Sequence, residues 1–166
     1  MVMPNHLSLA KGPETLSELD TPLKQGDYVY ALKLLTKLSH QHIGLLQGAI
    51  QKIVADESMV DNTFKLRVLL FQSEQKLNEQ LIDEAASIIE SVIAQSELFP
   101  EKTVLILALL QKAVLNLYRN DADESIQLFH ACEQMLESTD DIEVEIQIAI
   151  YGYHFFSESD SHKAAE

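Results

Sequence analysis

The sequence predicts an all-α fold of antiparallel helix pairs stacked as an α-solenoid, and three observations predict it. Hydrophobic residues make up 46% of the 166 residues, with only 5 Gly and 4 Pro, which is too apolar for a disordered chain and too poor in turn formers for an all-β sandwich. From residue 61 onward, apolar side chains recur at steps of three and four, the period of one helix face. The pattern of one helix pair then returns about 40 residues later, as happens when each unit buries its apolar face only against its neighbours. A chain of this length holds about seven to nine helices of ordinary length.

Taken in order, residues 1–12 read as a flexible leader, and residues 13–166 as a single helical repeat domain truncated at its C-terminal end. "PETLSELDTPLKQ" makes a helix with an expected break near Pro22, because a proline interrupts the hydrogen-bond ladder. "DYVYALKLLTKLSH" and "IGLLQGAIQKIVAD" are two more, separated by "HQH", and one helix of these three is left unpaired. "ADESMVDN" connects to the regular part. There, "DNTFKLRVLLFQSEQKLNEQ" places Phe64, Leu66, Leu69, Leu70, Ser73 and Leu77 on one stripe, and "IDEAASIIESVIAQSE" turns Ala85, Ile88, Ile89, Val92 and Ile93 inward. Pro100 in "LFPE" suits the first turn of the following helix. "EKTVLILALLQKAVLNLYRN" and "DADESIQLFHACEQMLESTD" form a second pair, and "DIEVEIQIAIYGYHFFSES" a further helix. "SESDSH" then reads as a loop and "KAAE" as the start of another helix.

The repeat is visible residue by residue. With a shift of 40, Phe64 falls on Val104, Leu69 on Leu109, Ser73 on Ala113, Leu77 on Leu117, Ala85 on Ser125, Ile89 on Phe129 and Val92 on Cys132. A shift of 39 carries Ala113 onto Gly152, Leu117 onto Phe156 and Ser125 onto Ala164. Small residues at these places let two helices approach closely at a short turn.

Charge narrows the class of partner. The formal net charge is −14, and it sits in the second half: residues 1–79 hold 8 Lys and Arg against 9 Asp and Glu, residues 80–166 hold 4 against 17. Phosphate backbones repel such a surface, and with only Arg67 and Arg119 as arginines no basic cluster offers itself to nucleic acid. The opening "MVMPNHLSLAKGPETL" lacks the basic flank and apolar stretch of a secretory signal. The longest uncharged runs, "TVLILALLQ" and "IQIAIYGYHFFS", fall well short of the ~20 residues that span a bilayer and read as buried helix segments. A single cysteine, Cys132, excludes an internal disulfide and suits a reducing cytoplasm, so the expected location is cytoplasmic.

The stretch "KQGDYVYALKLLTKL" carries a family likeness. Gly26, Tyr28 and Ala31, followed by Leu35 and Leu38, resemble the turn and second helix of a tetratricopeptide repeat, and "YRNDADESIQLFHACEQ" resembles the same element with Asn120 in the place of Gly and Ser125 in the place of Ala. The chain has no Trp and its period exceeds the usual ~34 residues. In this it is similar to the extended tetratricopeptide-like arrays of bacterial signalling and transcription-regulating proteins, some diguanylate cyclases among them. The resemblance implies a right-handed superhelix whose groove binds a peptide, protein or small ligand. It also implies a non-enzymatic interaction or sensory module, the N-terminal regulatory region of a larger signalling protein. The alternative reading is a free-standing adaptor or secretion chaperone.

No residue pattern points to catalysis or to a cofactor. There is no G-x-S-x-G elbow, no Gly-rich phosphate loop and no H-E-x-x-H. His130 and Cys132 are two apart and point to different faces of a helix, and His40 and His42 lack a third ligand, so no metal site is expected. "YGYHFF" reads as packing, with Gly152, Phe155 and Phe156 as packing residues. The candidate partner-binding residues are Gln72, Gln75 and Lys76 on one first helix and Lys112, Asn116 and Arg119 on the next. If these helices line a concave side, their donors suit an acidic or carboxylate-bearing protein or peptide. Apolar faces at the open ends of such a stack also leave room for a homodimer.

Overall fold

The protein, seen in a computed structural model, is described over residues 12–58 and 61–163. Among the described residues there are eight helices and no strand, and the chain divides into two compact units, residues 1–60 and 61–166. The sequence pattern alone reads as one array from residue 13. The division falls in the "ADESMVDN" connection, where the apolar periodicity lapses.

The first unit holds α1 (Gly12–Gln25), α2 (Tyr28–Gln41) and α3 (Ile43–Ala55), each packed on the other two. Helix α1 runs through Pro22 rather than breaking there. The buried apolar residues of this unit are Leu19 of α1, Ala31, Leu34, Leu35 and Leu38 of α2, and Leu46, Ala49, Ile50 and Ile53 of α3. Asp27 caps α2, its side chain accepting from the Tyr30 N–H at 3.1 Å. Lys52 of α3 pairs with Asp20 of α1. Of the expected leader, residues 1–12, residues 1–11 lie outside the described residues and Gly12 opens α1.

The second unit holds α4 (Asn62–Asn78), α5 (Ile82–Ser96), α6 (Thr103–Tyr118), α7 (Ala122–Leu136) and α8 (Ile142–Lys163). Helix α4 packs on α5, α5 on α6, α6 on α7 and α7 on α8, while α4 also packs on α6 and α6 on α8. The first helices of successive pairs therefore lie side by side. The small positions sit where close approach requires them: Ser73, Ala85, Ala113 and Ser125 are all fully buried, and the Ser125 hydroxyl donates to the Ala113 carbonyl at 2.6 Å across the α6–α7 pair. Ser73 reaches the Leu70 carbonyl at 2.7 Å and the side-chain oxygen of Gln111, and the Gln111 amide donates to the same Leu70 carbonyl at 3.1 Å.

The turns repeat as faithfully as the helices. Gly26, Gln80 and Asn120 take positive φ of 71°, 61° and 59°. Behind each, the next residue's N–H returns to a carbonyl five residues upstream: Asp27 to Pro22 at 2.8 Å, Leu81 to Lys76 at 2.9 Å and Asp121 to Asn116 at 2.9 Å. This is the left-handed C-cap with its backward hydrogen bond. The α1–α2, α4–α5 and α6–α7 turns thus share one geometry.

Helix α8 departs from expectation. It continues to Lys163, so "SESDSH" is helical rather than a loop, as a stretch without Gly or Pro allows once a helix is running into it. Ala164 and the rest of "KAAE" beyond Lys163 lie outside the described residues. Its buried side is Val144, Ile148 and Phe155, which stand 40 residues after Val104, Ala108 and Leu115 on the corresponding side of α6. A shift of 40, not 39, therefore relates α8 to α6. Gly152 meets Phe129 of the preceding α7, whose Cζ would lie 3.0 Å from an added Cβ. Pro100 lies in the α5–α6 connection ahead of the Lys102 N-cap instead of inside the first turn of α6.

Candidate functional site

Two surfaces of the second unit are candidates: the side of the first helices, where α6 packs on both α4 and α8, and the exposed side of α8. Helix α6 is the central element. It buries Ile106, Leu110 and Ala113 against Phe129, Cys132, Val144, Ile148 and Phe155 on α7 and α8, and Val104 and Ala108 against Leu66, Leu70 and Val92 on α4 and α5. With both flanks covered, its buried Thr103 and Gln111 donate to Asp141 and to the Leu70 carbonyl.

Of the six predicted partner-binding residues, the three cations are each held by an acid of α5. Lys76 pairs with Glu84 at 2.9 Å, Lys112 with Glu90 at 2.8 Å and Arg119 with Asp83 at 3.4 Å. All three acids belong to α5, so the cations expected to await a carboxylate ligand already have one. The Glu84 carboxylate holds the Lys76 ammonium above its ordinary value, chiefly by their hydrogen bond. Asn116 is buried, and its Nδ2 finds no acceptor. Gln72 and Gln75 are half-buried on α4.

The side where α4, α6 and α8 meet carries different groups. Arg67 of α4 pairs with Glu143 of α8, joining the helices that flank α6. Thr103, at the start of α6, donates to Asp141 Oδ2 at 2.7 Å, while Asp141 Oδ1 accepts from the Glu143 and Val144 N–H groups at 2.9 and 3.4 Å. These bonds, Thr103 first, hold the Asp141 carboxyl below the usual carboxylate range. Further along, burial pushes the Tyr151 phenol up to about 12, with the negative charge of Glu74 on α4 adding to it. Desolvation likewise raises the Glu74 carboxyl, although that residue as a whole is exposed. The sequence reading missed Arg67, Glu143 and Glu74, because each joins helices about 70 or more residues apart in the chain and leaves no local signature.

Cys132 is a core residue. It is fully buried, its Sγ lies 3.7 Å from the Ile106 carbonyl, and burial pushes the thiol up to about 12. His130 pairs with Glu133 at 2.8 Å. Among the described residues no group of three His, Cys, Asp or Glu side chains is placed to hold a metal ion, and no helix is long and apolar enough to cross a membrane.

The second surface lies on α8. Among its described side chains, α8 buries Val144, Ile148 and Phe155 on one side only. Its other side shows Ile142, Ile146, Ile150 and Tyr153 at 71%, 53%, 46% and 73% exposure, one stripe at helical spacing. Beside its N-terminal end, a hollow of about 700 Å³ opens between the α5–α6 and α7–α8 connections, lined by Glu101, Lys102, Asp140 and Ile142 among others. No family model, curated protein or solved structure matches this chain.

Proposed function

We propose that the second unit is a tetratricopeptide-like stack of helix pairs that works as a non-enzymatic protein-interaction module, in the regulatory region of a signalling protein. The observation that carries this reading is the common register of the pairs. Leu66, Leu70 and Ser73 of α4 and Ile106, Leu110 and Ala113 of α6 stand 40 residues apart and are buried in the same way, and the turns behind α4 and α6 share one left-handed geometry. Such a stack is quasi-one-dimensional and sets its first helices side by side, the arrangement by which helical repeats present extended binding surfaces.

On this reading a peptide lies along the side shared by α4, α6 and α8, near Glu74, Gln111 and Tyr151. Because Lys76, Lys112 and Arg119 are paired with α5, the ligand is held by hydrogen bonding and apolar contact more than by free cations. Peptide display against the intact chain tests this directly. Enriched peptides should lose binding by about tenfold or more, which corresponds to ~1.4 kcal/mol, when Tyr118, about two turns beyond Gln111 on α6, and Gln147, about one turn before Tyr151 on α8, are both changed to alanine. Peptides that bind this variant unchanged, or a selection that enriches none, would contradict the assignment.

A further inference from the structure

The exposed stripe on α8 has counterparts that show what such a stripe does. Ile146, Ile150 and Tyr153 stand 40 residues after Ile106, Leu110 and Ala113, and 80 after Leu66, Leu70 and Ser73. In α4 and α6 those positions are at most 4% exposed, covered by the helices that follow, whereas in α8 they are 53%, 46% and 73% exposed. Four large apolar side chains in one line over about three helical turns form a patch that folded proteins reserve for contact.

The occupant can be narrowed from the surface itself. Tyr153 stands where Ser73 and Ala113 allow close approach of a second helix, so a covering helix here must pack through side chains at a wider separation. The hollow at the N-terminal end of the stripe carries the carboxylates of Glu101 and Asp140, and its one lysine, Lys102, turns its ammonium to the Phe99 carbonyl at 3.1 Å. Glu145, also exposed, borders the stripe on α8 itself. A second copy of this chain would bring another net charge of −14 against these carboxylates, which like-charge repulsion opposes. A basic flank would meet them favourably.

We propose that the stripe Ile142, Ile146, Ile150 and Tyr153, with the acidic hollow at its N-terminal end, docks an amphipathic helix of a partner protein whose apolar side is flanked by lysines or arginines. The helix lays its apolar residues along α8, and a basic side chain at one end enters the hollow near Glu101 and Asp140. This goes beyond peptide capture by the α4, α6 and α8 side and does not depend on it: the hollow borders that side through Thr103, Asp141 and Glu143, but the stripe uses none of Glu74, Gln111 and Tyr151.

The test uses the intact chain and two synthetic helical peptides of about five turns. They share one leucine stripe; one is flanked by lysines and the other by glutamates. Fluorescence anisotropy should show saturable binding of the lysine peptide at least about tenfold tighter than that of the glutamate peptide, weakening as salt is raised. Changing Ile146 and Ile150 together to serine should weaken the lysine peptide by at least about tenfold. Asp140→Asn with Glu101→Gln should weaken it less and flatten the salt dependence. All four positions are exposed, so circular dichroism and Tm should match the parent, and a milder Ile150→Thr variant gives the same reading if the double variant does not. Equal binding of the two peptides, binding unchanged by the isoleucine variant, or a dimer in sedimentation that dissociates on that substitution would each overturn the proposal.

Discussion

At the residue scale, the three left-handed turn residues separate what composition shows from what geometry shows. Gly26 is legible in the sequence, and Asn120 half-legible, because both tolerate positive φ. Gln80 is not, since no property of glutamine marks a left-handed turn. It is held there by the hydrogen bonds behind it, Gln80 N–H to the Leu77 carbonyl at 3.0 Å and Leu81 N–H to the Lys76 carbonyl at 2.9 Å. Gln80→Gly should therefore raise stability by about 0.5–1 kcal/mol, and Asn120→Gly by less. Urea denaturation measures both, and a loss at Gln80 would refute the turn geometry. Cys132 and Tyr151 give a pH prediction. Both folded values are raised, to about 12 each, above ordinary values of 9.0 and 10.0. The folded state keeps these protons while the unfolded state releases them. Their stabilisation is thus complete below about pH 9 and falls as pH rises toward 12, by on the order of 1 kcal/mol per pH unit for each group. Denaturation midpoints compared at about pH 8 and pH 10.5 should show the decline, and Cys132→Ala with Tyr151→Phe should remove it.

At the element scale, helix identity was readable from period alone, while helix ends depended on contacts between distant parts of the chain. The stripe of α4 and the inward set of α5 are buried or packed against the core because packing enforces the same period that the sequence shows, but the fully buried Val68 of α4 lies outside that stripe. The end of α8 was misread because "SESDSH" has a loop's composition but no residue that stops a helix. The shift of 39 failed for a related reason: Gly152 looked like another close-packing position between paired helices, yet its neighbour is Phe129 on the preceding α7. Asp141 is the clearest link between elements, capping α8 while accepting from Thr103 at the start of α6. Asp141→Ala should cost about 1–2 kcal/mol, with Asp141→Asn recovering much of the loss. Thermal unfolding of the two variants tests this, and equal loss in both would mean that charge rather than capping matters there.

At the scale of the whole molecule, the chain comprises two compact units, and the second contains a core of its own. Residues 61–166 expressed alone should therefore fold cooperatively, as circular dichroism with urea would show; a non-cooperative transition would contradict the division. The net charge of −14 was fully legible in the sequence, and with it the expectation that phosphate backbones are poor partners. The openness of α8 was not, since "IQIAIYGYHFFS" has the composition of a core helix and only the arrangement of neighbours shows which side is covered. The central claim is that one recurring stripe, buried in α4 and α6, is exposed in α8, where we propose that it docks a partner. Solvent paramagnetic relaxation of isoleucine methyl groups in the intact chain measures it most directly. The account predicts strong attenuation at Ile142, Ile146 and Ile150 and protection at Ile106; protection of all four would contradict it.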